Sequence, residues 1–146
     1  LRSWYYRIVA IDVAGNVSPP SKLVTAQAYD LSPPAPPTWR RAEHVRIDQF
    51  GNEKPADAVL DVYTPAVALA WATIQPDLKC IVQRRPTDRE VWSAVSPWLR
   101  APAAYDDESC WVWSFRDAAI RADTTYVYRI KLVGRAASTY SEELPV

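Results

Sequence analysis

The chain has 146 residues, and its 17 basic residues balance 17 acidic ones, for a formal net charge of +0. That balance argues against a protein built to bind nucleic acid or an anionic membrane, and no segment reaches the roughly 18 consecutive apolar residues of a transmembrane helix. Aromatic residues make up 12% of the chain, with 13 Pro and 3 Gly, and their short β-branched and aromatic runs predict an all-β fold.

Residues 1–28 are predicted to form two strands. Tyr5–Asp12 is the first, Val13–Asn16 is a turn in which Gly and Asn supply the positive-φ positions, and Lys22–Ala28 is the second. An isolated two-stranded hairpin is marginally stable in water. Since the chain also lacks Met and begins inside a predicted strand, we expect a processed chain or part of a longer one, with further strands or a partner surface completing this hairpin.

Residues 29–38 are dense in Pro, which holds a chain extended and leaves few backbone donors. We predict a semi-rigid linker here, and a polyproline ligand for another domain is the alternative. Beyond it, Val45, Ile47 and Phe50 indicate an elongated strand followed by a polar loop at 51–57. Loops of this kind often carry specific functions, so this loop is the main candidate for one.

The remaining chain alternates apolar and polar residues in short runs, as strands with one buried face do. The strand that begins near Tyr126 follows a short turn, which suits a tyrosine corner: the ring packs inside and the hydroxyl bonds the backbone upstream. Trp113 is also assigned to the core, and Trp92 is a further candidate for it. The predicted strands are Val67–Ala72, Lys79–Arg85, Glu90–Val95, 111–115, Thr124–Leu132 and Thr139–Val146.

Two segments about 120 positions apart match in register, which indicates an internal repeat: Tyr6-Arg7-Ile8-Val9 and Tyr128-Arg129-Ile130-Lys131. Tyr6–Ser18 resembles the last two strands, F and G, of a fibronectin type III domain. Ile120–Ile130 is similar to the E–F corner of that family, although Ala122 replaces the usual Pro and Trp4 stands where the first copy should have its corner Tyr.

The resemblance implies an immunoglobulin-like β-sandwich in which Trp71 fills the core. It also implies three parts: 1–28 as the C-terminal F–G hairpin of a preceding domain, 29–38 as the linker, and 39–146 as a complete domain with an extended A–B region. The members of this family serve as beads in extended arrays.

Cys80 and Cys110 are the only cysteines, and with the lone His44 they cannot supply the four ligands of a structural zinc site. A disulfide between them would indicate an oxidising compartment. The alternative is two thiols, one buried in a strand and one in a loop. Their spacing alone does not set the geometry, so both alternatives stay open.

No catalytic residue, cofactor or metal is predicted. His44 lies beside Glu43 in a predicted strand, and there is no Gly-x-Ser-x-Gly elbow for a serine nucleophile. The acidic run at 106–108 is expected to be a solvated loop, with a weak calcium site as the alternative. Three scattered Gly cannot form a phosphate-binding loop.

We therefore expect a non-catalytic structural or assembly module of a larger bacterial surface, secreted or filamentous protein, located outside the cell or at its surface. Its partners would be other domains or copies of the same protein, or other surface or assembly proteins. The alternative is a protein- or glycan-binding module, because seven Trp exceed what one small core requires. That alternative uses an exposed patch of Trp98, Trp39 and Trp111, which would otherwise pack beneath loops.

One further group of charges has an ordinary explanation. Arg84, Arg85, Arg89 and Arg100 cluster near the predicted hairpin of strands 79–85 and 90–95. A sheet edge that carries such charges is protected from pairing with other chains.

Overall fold

Every regular element that the computed structural model describes is a β-strand, which confirms the all-β prediction. The described residues are 3–27, 32–75, 78–106, 109–121 and 123–146. The chain divides into two compact units, residues 1–31 and 32–146. Within the described ranges, no helix has the length and apolarity needed to cross a membrane. Part of the predicted linker (29–31) and Ala28 and Ala122 lie outside the described residues.

The first unit is an antiparallel ribbon of β1 (Ser3–Tyr6) and β2 (Val24–Gln27). Beyond β1 the ladder becomes irregular. The backbone N–H of Ile8 donates to the Ser21 hydroxyl at 2.9 Å, and the Ser21 N–H donates back to the Ile8 carbonyl at 2.9 Å. The predicted strand Tyr5–Asp12 is therefore regular only at its start, because serine side chains take over backbone hydrogen bonds after Tyr6.

The ribbon ends in a turn that recurs in the second unit. The Asp12 carboxylate accepts the backbone N–H groups of Ala14 and Asn16, each at 2.9 Å, and Gly15 takes a φ of +86°. In 48–52, Asp48 accepts from Phe50 and Asn52 in the same way, and Gly51 has a φ of +83°. Both turns follow the pattern Asp-x-x-Gly-Asn, in which only Gly adopts the left-handed backbone without strain.

These turn hydrogen bonds also lower the pKa values of Asp12 and Asp48. The side-chain amide of Asn16 contributes most to holding the pKa of Asp12 below its ordinary value, followed by the Asn16 backbone. The backbone N–H of Asn52 leads the same effect on the pKa of Asp48. Both carboxylates are therefore committed to the turns.

The second unit contains two antiparallel sheets. Its strands are β3 (Thr38–Asp48), β4 (Glu53–Pro55), β5 (Tyr63–Thr73), β6 (Lys79–Pro86), β7 (Ser93–Ala94), β8 (Ala104–Tyr105), β9 (Trp111–Asp117), β10 (Tyr126–Val133), β11 (Ser138–Tyr140) and β12 (Leu144–Pro145). The first sheet has the order β4-β3-β5-β9-β8, and the second has the order β11-β10-β6-β7 with β12 also paired to β10.

The two sheets pack as a sandwich-like arrangement around one core. In β5, β6, β9 and β10, alternate residues point inward, so the sheets meet through large apolar side chains. Each such side chain contributes roughly 1.5–3 kcal/mol when fully buried. The largest fully buried ones are Trp71, Trp113, Tyr128, Leu69, Ile130, Leu132, Val67, Val82 and Cys80.

In the second unit, β5 begins at Tyr63, four residues before the predicted Val67. Strand boundaries in this unit differ from the predictions in four further places. The predicted polar loop at 51–57 contains β4, which pairs with β3, and β8 was not predicted. The predicted strand Glu90–Val95 is reduced to β7, and Trp92, a candidate for the core, lies just before it and is only half-buried. The predicted last strand is split into β11 and β12.

The split occurs at Ser141. Its hydroxyl accepts the Ile130 N–H at 2.9 Å, so a side chain replaces the regular ladder at that position. A hydrophobic pattern does not reveal where a side chain takes the place of a backbone hydrogen-bond acceptor.

Candidate functional site

Tyr126 sits at a corner between the sheets. Its ring is buried, and its hydroxyl accepts a hydrogen bond from the backbone N–H of Arg121 at 3.2 Å. The Arg84 guanidinium covers the ring at 4.5 Å from its centre. The side chain thus links the start of β10 to the chain five residues upstream.

Asp117 clamps the two sheets together beside that corner. It lies in β9 with 2% of its surface exposed, and one of its oxygens binds both the Arg84 guanidinium at 2.6 Å and the Tyr128 hydroxyl at 3.0 Å. Its other oxygen accepts the Ala119 N–H at 3.0 Å. Because these bonds come from strands of the opposite sheet and from the corner itself, the buried charge is compensated from both sides.

The clamp also affects Tyr128. Burial, followed by the negative charge of Asp117, raises the pKa of the Tyr128 hydroxyl well above its ordinary value, while Arg84 opposes this shift. The hydroxyl therefore keeps its proton and remains a donor to Asp117. Both Asp117 oxygens are therefore engaged in hydrogen bonds, and one of the donors is the neutral Tyr128 hydroxyl.

The two core tryptophans have different polar surroundings. The Trp113 indole N–H donates to the Thr73 hydroxyl at 2.9 Å. The Trp71 indole N–H is buried and, within the described residues, has no hydrogen-bond partner of ordinary geometry. The Trp39 ring packs edge-on against Trp71, with ring centres 6.3 Å apart.

No bridge joins Cys80 and Cys110, both of which carry thiols. Cys80 is fully buried in β6, whereas Cys110 is half-buried immediately before β9 in the other sheet. Burial raises the pKa of the Cys80 thiol to about 12, and the Trp71 indole acts in the opposite direction. A buried thiol of this kind is protonated and inert at neutral pH.

The three tryptophans of the binding alternative make their ring contacts elsewhere. Trp39 packs on Trp71 and donates its indole N–H to the Glu142 carbonyl at 3.0 Å, and Trp111 packs on Tyr105 with ring centres 4.6 Å apart. Trp98 is 46% exposed between β7 and β8. Among the described residues, no ring contact joins one of these three indoles to another.

The remaining candidates lie at the surface. His44 is exposed in β3. Asp106 accepts the Cys110 N–H at 2.8 Å and pairs with Arg40 at 3.5 Å, so this end of the acidic run is tied to the fold. Asp107 and Glu108, the rest of the run, lie outside the described residues.

The outer face of the second sheet gathers basic side chains. Lys79 and Arg85 alternate with buried Cys80 and Val82 in β6, so they point away from the core. Arg129 and Lys131 alternate with buried residues of β10 in the same way, and they stand opposite Gln83 and Ile81 of β6. We call Lys79, Lys131, Arg129 and Arg85 the basic row.

Aromatic rings hold the middle of this row. The Arg129 guanidinium carbon lies 4.1 Å from the ring centre of Trp92 and 4.4 Å from that of Tyr140, and its Nε donates to Gln83 at 2.8 Å. Arg85 also lies over Trp92, at 5.1 Å. Lys131 is 5.8 Å from the ring centre of Tyr140. Each contact is an attraction between a cation and the face of an aromatic ring.

Sequence reasoning did not find this row. The signal was Arg129-x-Lys131 at outward positions of β10, together with Arg85, which was grouped with its neighbours as a charged edge. The structure separates that group, since Arg84 turns inward to Asp117 while Arg85 faces outward. The aromatic partners come from outside β6 and β10, so no local pattern connects them.

Comparison with models of protein families, with curated proteins and with solved structures gives no match to the chain.

Proposed function

We propose that the chain is a non-catalytic structural module of an extended array. On this proposal, residues 32–146 form a fibronectin type III-like, immunoglobulin-type sandwich, and the ribbon before it is the F–G hairpin of a preceding copy. The parent is a bacterial surface, secreted or filamentous protein outside the cell or at its surface. Its partners are other domains or copies of itself, and it neither binds nucleic acid nor inserts into a membrane.

The observation that carries the proposal is the shared register of two ribbons. Tyr6 stands opposite Val24 in the first, and Tyr128 stands opposite Leu144 in the second. Three further pairs coincide: Tyr5–Thr25 with Val127–Pro145, Trp4–Ala26 with Tyr126–Val146, and Ile8–Ser21 with Ile130–Ser141.

The replacement of a backbone acceptor by a serine hydroxyl also recurs. In both ribbons a serine hydroxyl accepts the isoleucine N–H at 2.9 Å and donates to the carbonyl of the next residue. Because chance pairing would not reproduce the register, the interruption and the side-chain bond together, we infer that β1 and β2 are equivalent to β10 and β12.

The order of strands in the second unit supports the family assignment. In the first sheet, β3, β5 and β9 correspond to strands A, B and E of the family. In the second sheet, β7, β6 and β10 correspond to C′, C and F, and β11 with β12 corresponds to G. The tyrosine corner at Tyr126 lies at the expected E–F junction.

The non-catalytic part of the proposal is supported by Asp117, the most deeply buried acid among the described residues. Arg84, Tyr128 and the Ala119 N–H engage both of its oxygens. A general acid or base needs a free position toward a substrate proton. Asp117 is 2% exposed and bound at both oxygens, so a substrate has no access to it, and we assign it to stability.

Matched deletions test the proposal. Removing residues 1–31 is expected to leave the cooperative unfolding of 32–146 in place, with Tm within about 2 °C of the full chain, because the sandwich contains its own core. Removing the equivalent ribbon, residues 126–146, is expected to abolish folding, since Tyr128, Ile130 and Leu132 are lost from that core. Circular dichroism melts and proton NMR dispersion provide the measurements. A chain that unfolds when 1–31 is removed would show that both parts form one domain and would overturn the proposal.

A further inference from the structure

We propose that the basic row, with Trp92 and Tyr140, is a binding surface for a linear anionic polysaccharide, one that carries sulfate or carboxylate groups. This surface lies wholly within residues 32–146. A failed binding test would therefore leave the proposed scaffold role intact.

The cations form a line. Val133 stands opposite Lys79, Lys131 opposite Ile81, Arg129 opposite Gln83, and Val127 opposite Arg85. Each basic residue is therefore two positions farther along the sheet than the one before it, a step of about 6.7 Å. The four charges span about 20 Å along the strands, with Lys131 and Arg129 on β10 between Lys79 and Arg85 on β6. An extended chain with periodic anionic groups matches such a line.

The central cation is held in position before any ligand arrives. Two aromatic rings flank the Arg129 guanidinium, at 4.1 Å and 4.4 Å, and Gln83 binds its Nε. The terminal nitrogens of Arg129 have no acceptor among the described residues. Ordering a long side chain in advance removes part of the entropy cost of binding. The remaining guanidinium N–H groups suit the oxygens of a sulfate or carboxylate.

Three of the four cations in the row have no neutralising acid in the part of the chain that the structure describes. Within the described residues, Arg85 pairs with Glu143 at 3.1 Å, and Lys79, Arg129 and Lys131 have no carboxylate within salt-bridge distance. Elsewhere Arg41 pairs with Glu43 and Glu53, and Arg84 pairs with Asp117. Three cations without an ion pair among the described residues, Lys79, Lys131 and Arg129, thus share one sheet face, where their charge attracts an anionic partner.

The shape and chemistry of the face favour a polysaccharide. A peptide strand would add along a sheet edge through backbone hydrogen bonds. The row instead runs along β6 and β10, the two inner strands of the sheet. Proteins that bind duplex DNA with a strong salt dependence make about 6–10 phosphate contacts, more than four cations provide. Sugar rings present apolar C–H faces beside charged substituents, so a surface that places Trp92 and Tyr140 among cations fits both parts.

Titration calorimetry with a heparin-derived decasaccharide tests the surface. The full chain is expected to bind it, and uncharged dextran of equal length is not. Arg129→Gln with Lys131→Gln is expected to weaken binding at least tenfold. The control, Lys54→Gln with Arg116→Gln, removes the same charge from the first sheet and is expected to change binding less than twofold. Lys79→Gln with Lys131→Gln provides a second row variant if the first unfolds.

Two further readouts separate binding at the row from general attraction. The slope of log affinity against log salt concentration should fall by about 2 in the row variant and remain unchanged in the control, roughly one unit for each lost ionic contact. Trp92→Leu should weaken binding about threefold and leave the salt-dependence slope unchanged. It removes the ring that holds the Arg129 guanidinium in position but removes no charge. Equal losses in the row and control variants, or no binding by the full chain, would overturn the proposal. So would tighter binding of duplex DNA or of poly-glutamate.

Discussion

The two ribbons share a backbone and differ in burial. Tyr6 is 56% exposed and Ile8 is 76% exposed, whereas their counterparts Tyr128 and Ile130 are fully buried. Pairing register, serine hydrogen bonds and interruption are the same in both. The ribbon conformation therefore follows from local pairing and side-chain bonds. The stability that each apolar residue contributes depends on what covers it.

Trp4 shows the same contrast at the corner position. It stands where the second ribbon has Tyr126, yet it is 51% exposed. The first ribbon thus presents apolar side chains with the pattern of a sandwich core and, among the described residues, without such a core. Three pairs of variants can break or sharpen this comparison.

The largest difference is expected for isoleucine. Ile130→Ala should lower the free energy of unfolding of the sandwich by roughly 2–5 kcal/mol, because it leaves a cavity beneath β10. Ile8→Ala, the equivalent change in the first ribbon, should alter it by less than about 0.5 kcal/mol, since Ile8 is exposed. Urea denaturation followed by fluorescence measures both. Equal losses would show that the first ribbon already packs into a core.

The equivalent serines give a smaller contrast. Ser141 is buried, so Ser141→Ala leaves the Ile130 N–H without an acceptor and should cost about 1–3 kcal/mol. Ser21→Ala should cost less than about 0.5 kcal/mol, because water can replace its exposed hydroxyl. The exposed Ser138→Ala is the control in the second unit. The same urea titrations apply, and a costly Ser21→Ala would contradict the comparison.

The buried thiol next to the second ribbon gives a pH dependence that the first ribbon cannot have. Folding raises the pKa of Cys80 from 9.0 to about 12. Below pH 9 the thiol is protonated whether the chain is folded or unfolded, so it contributes no slope. Above pH 9 the unfolded chain loses this proton while the folded one retains it. Through Cys80 alone, the free energy of unfolding should then fall by about 1.4 kcal/mol per pH unit up to about pH 12.

Cys80→Ala should reduce this slope most clearly between pH 9 and 10. Tyr128, whose pKa is also raised by burial, adds less there because an unfolded tyrosine is half deprotonated only near pH 10. Cys110→Ala is the matched control and should retain it. The measurement is urea denaturation at half-unit pH steps. A slope that is as steep in Cys80→Ala as in the unchanged chain would mean that another group causes it.

Sequence patterns located most of the long strands because a half-buried strand alternates its side chains. Alternation placed β6, β9 and β10 to within two residues at either end. The short strands β4 and β8 were missed, since two or three residues cannot display a period. Splitting of the last strand depends on the hydroxyl of Ser141 reaching β10, a contact that alternation does not encode.

The candidate surfaces divide in the same way. Trp113 and Tyr126 could be assigned to the core from their strand positions, and Trp71 from the family resemblance. Trp92 was a core candidate as well, yet it stacks on Arg85 and Arg129 at the outer face. The chain's zero net charge concealed the basic row, because a sum over residues contains no information about which sheet face each one occupies.

By itself the sequence determined what short-range physics controls: the Asp-x-x-Gly-Asn turns, the alternating strands and the repeated ribbon pattern. Backbone dihedral preferences and the two-residue period of a strand act between near neighbours, so they can be read along the chain. Only the tertiary structure decided which ribbon is covered and which cations share a face. Burial and electrostatics depend on groups that are distant in sequence, and Arg129 meets Trp92 and Tyr140 only after the strands have paired.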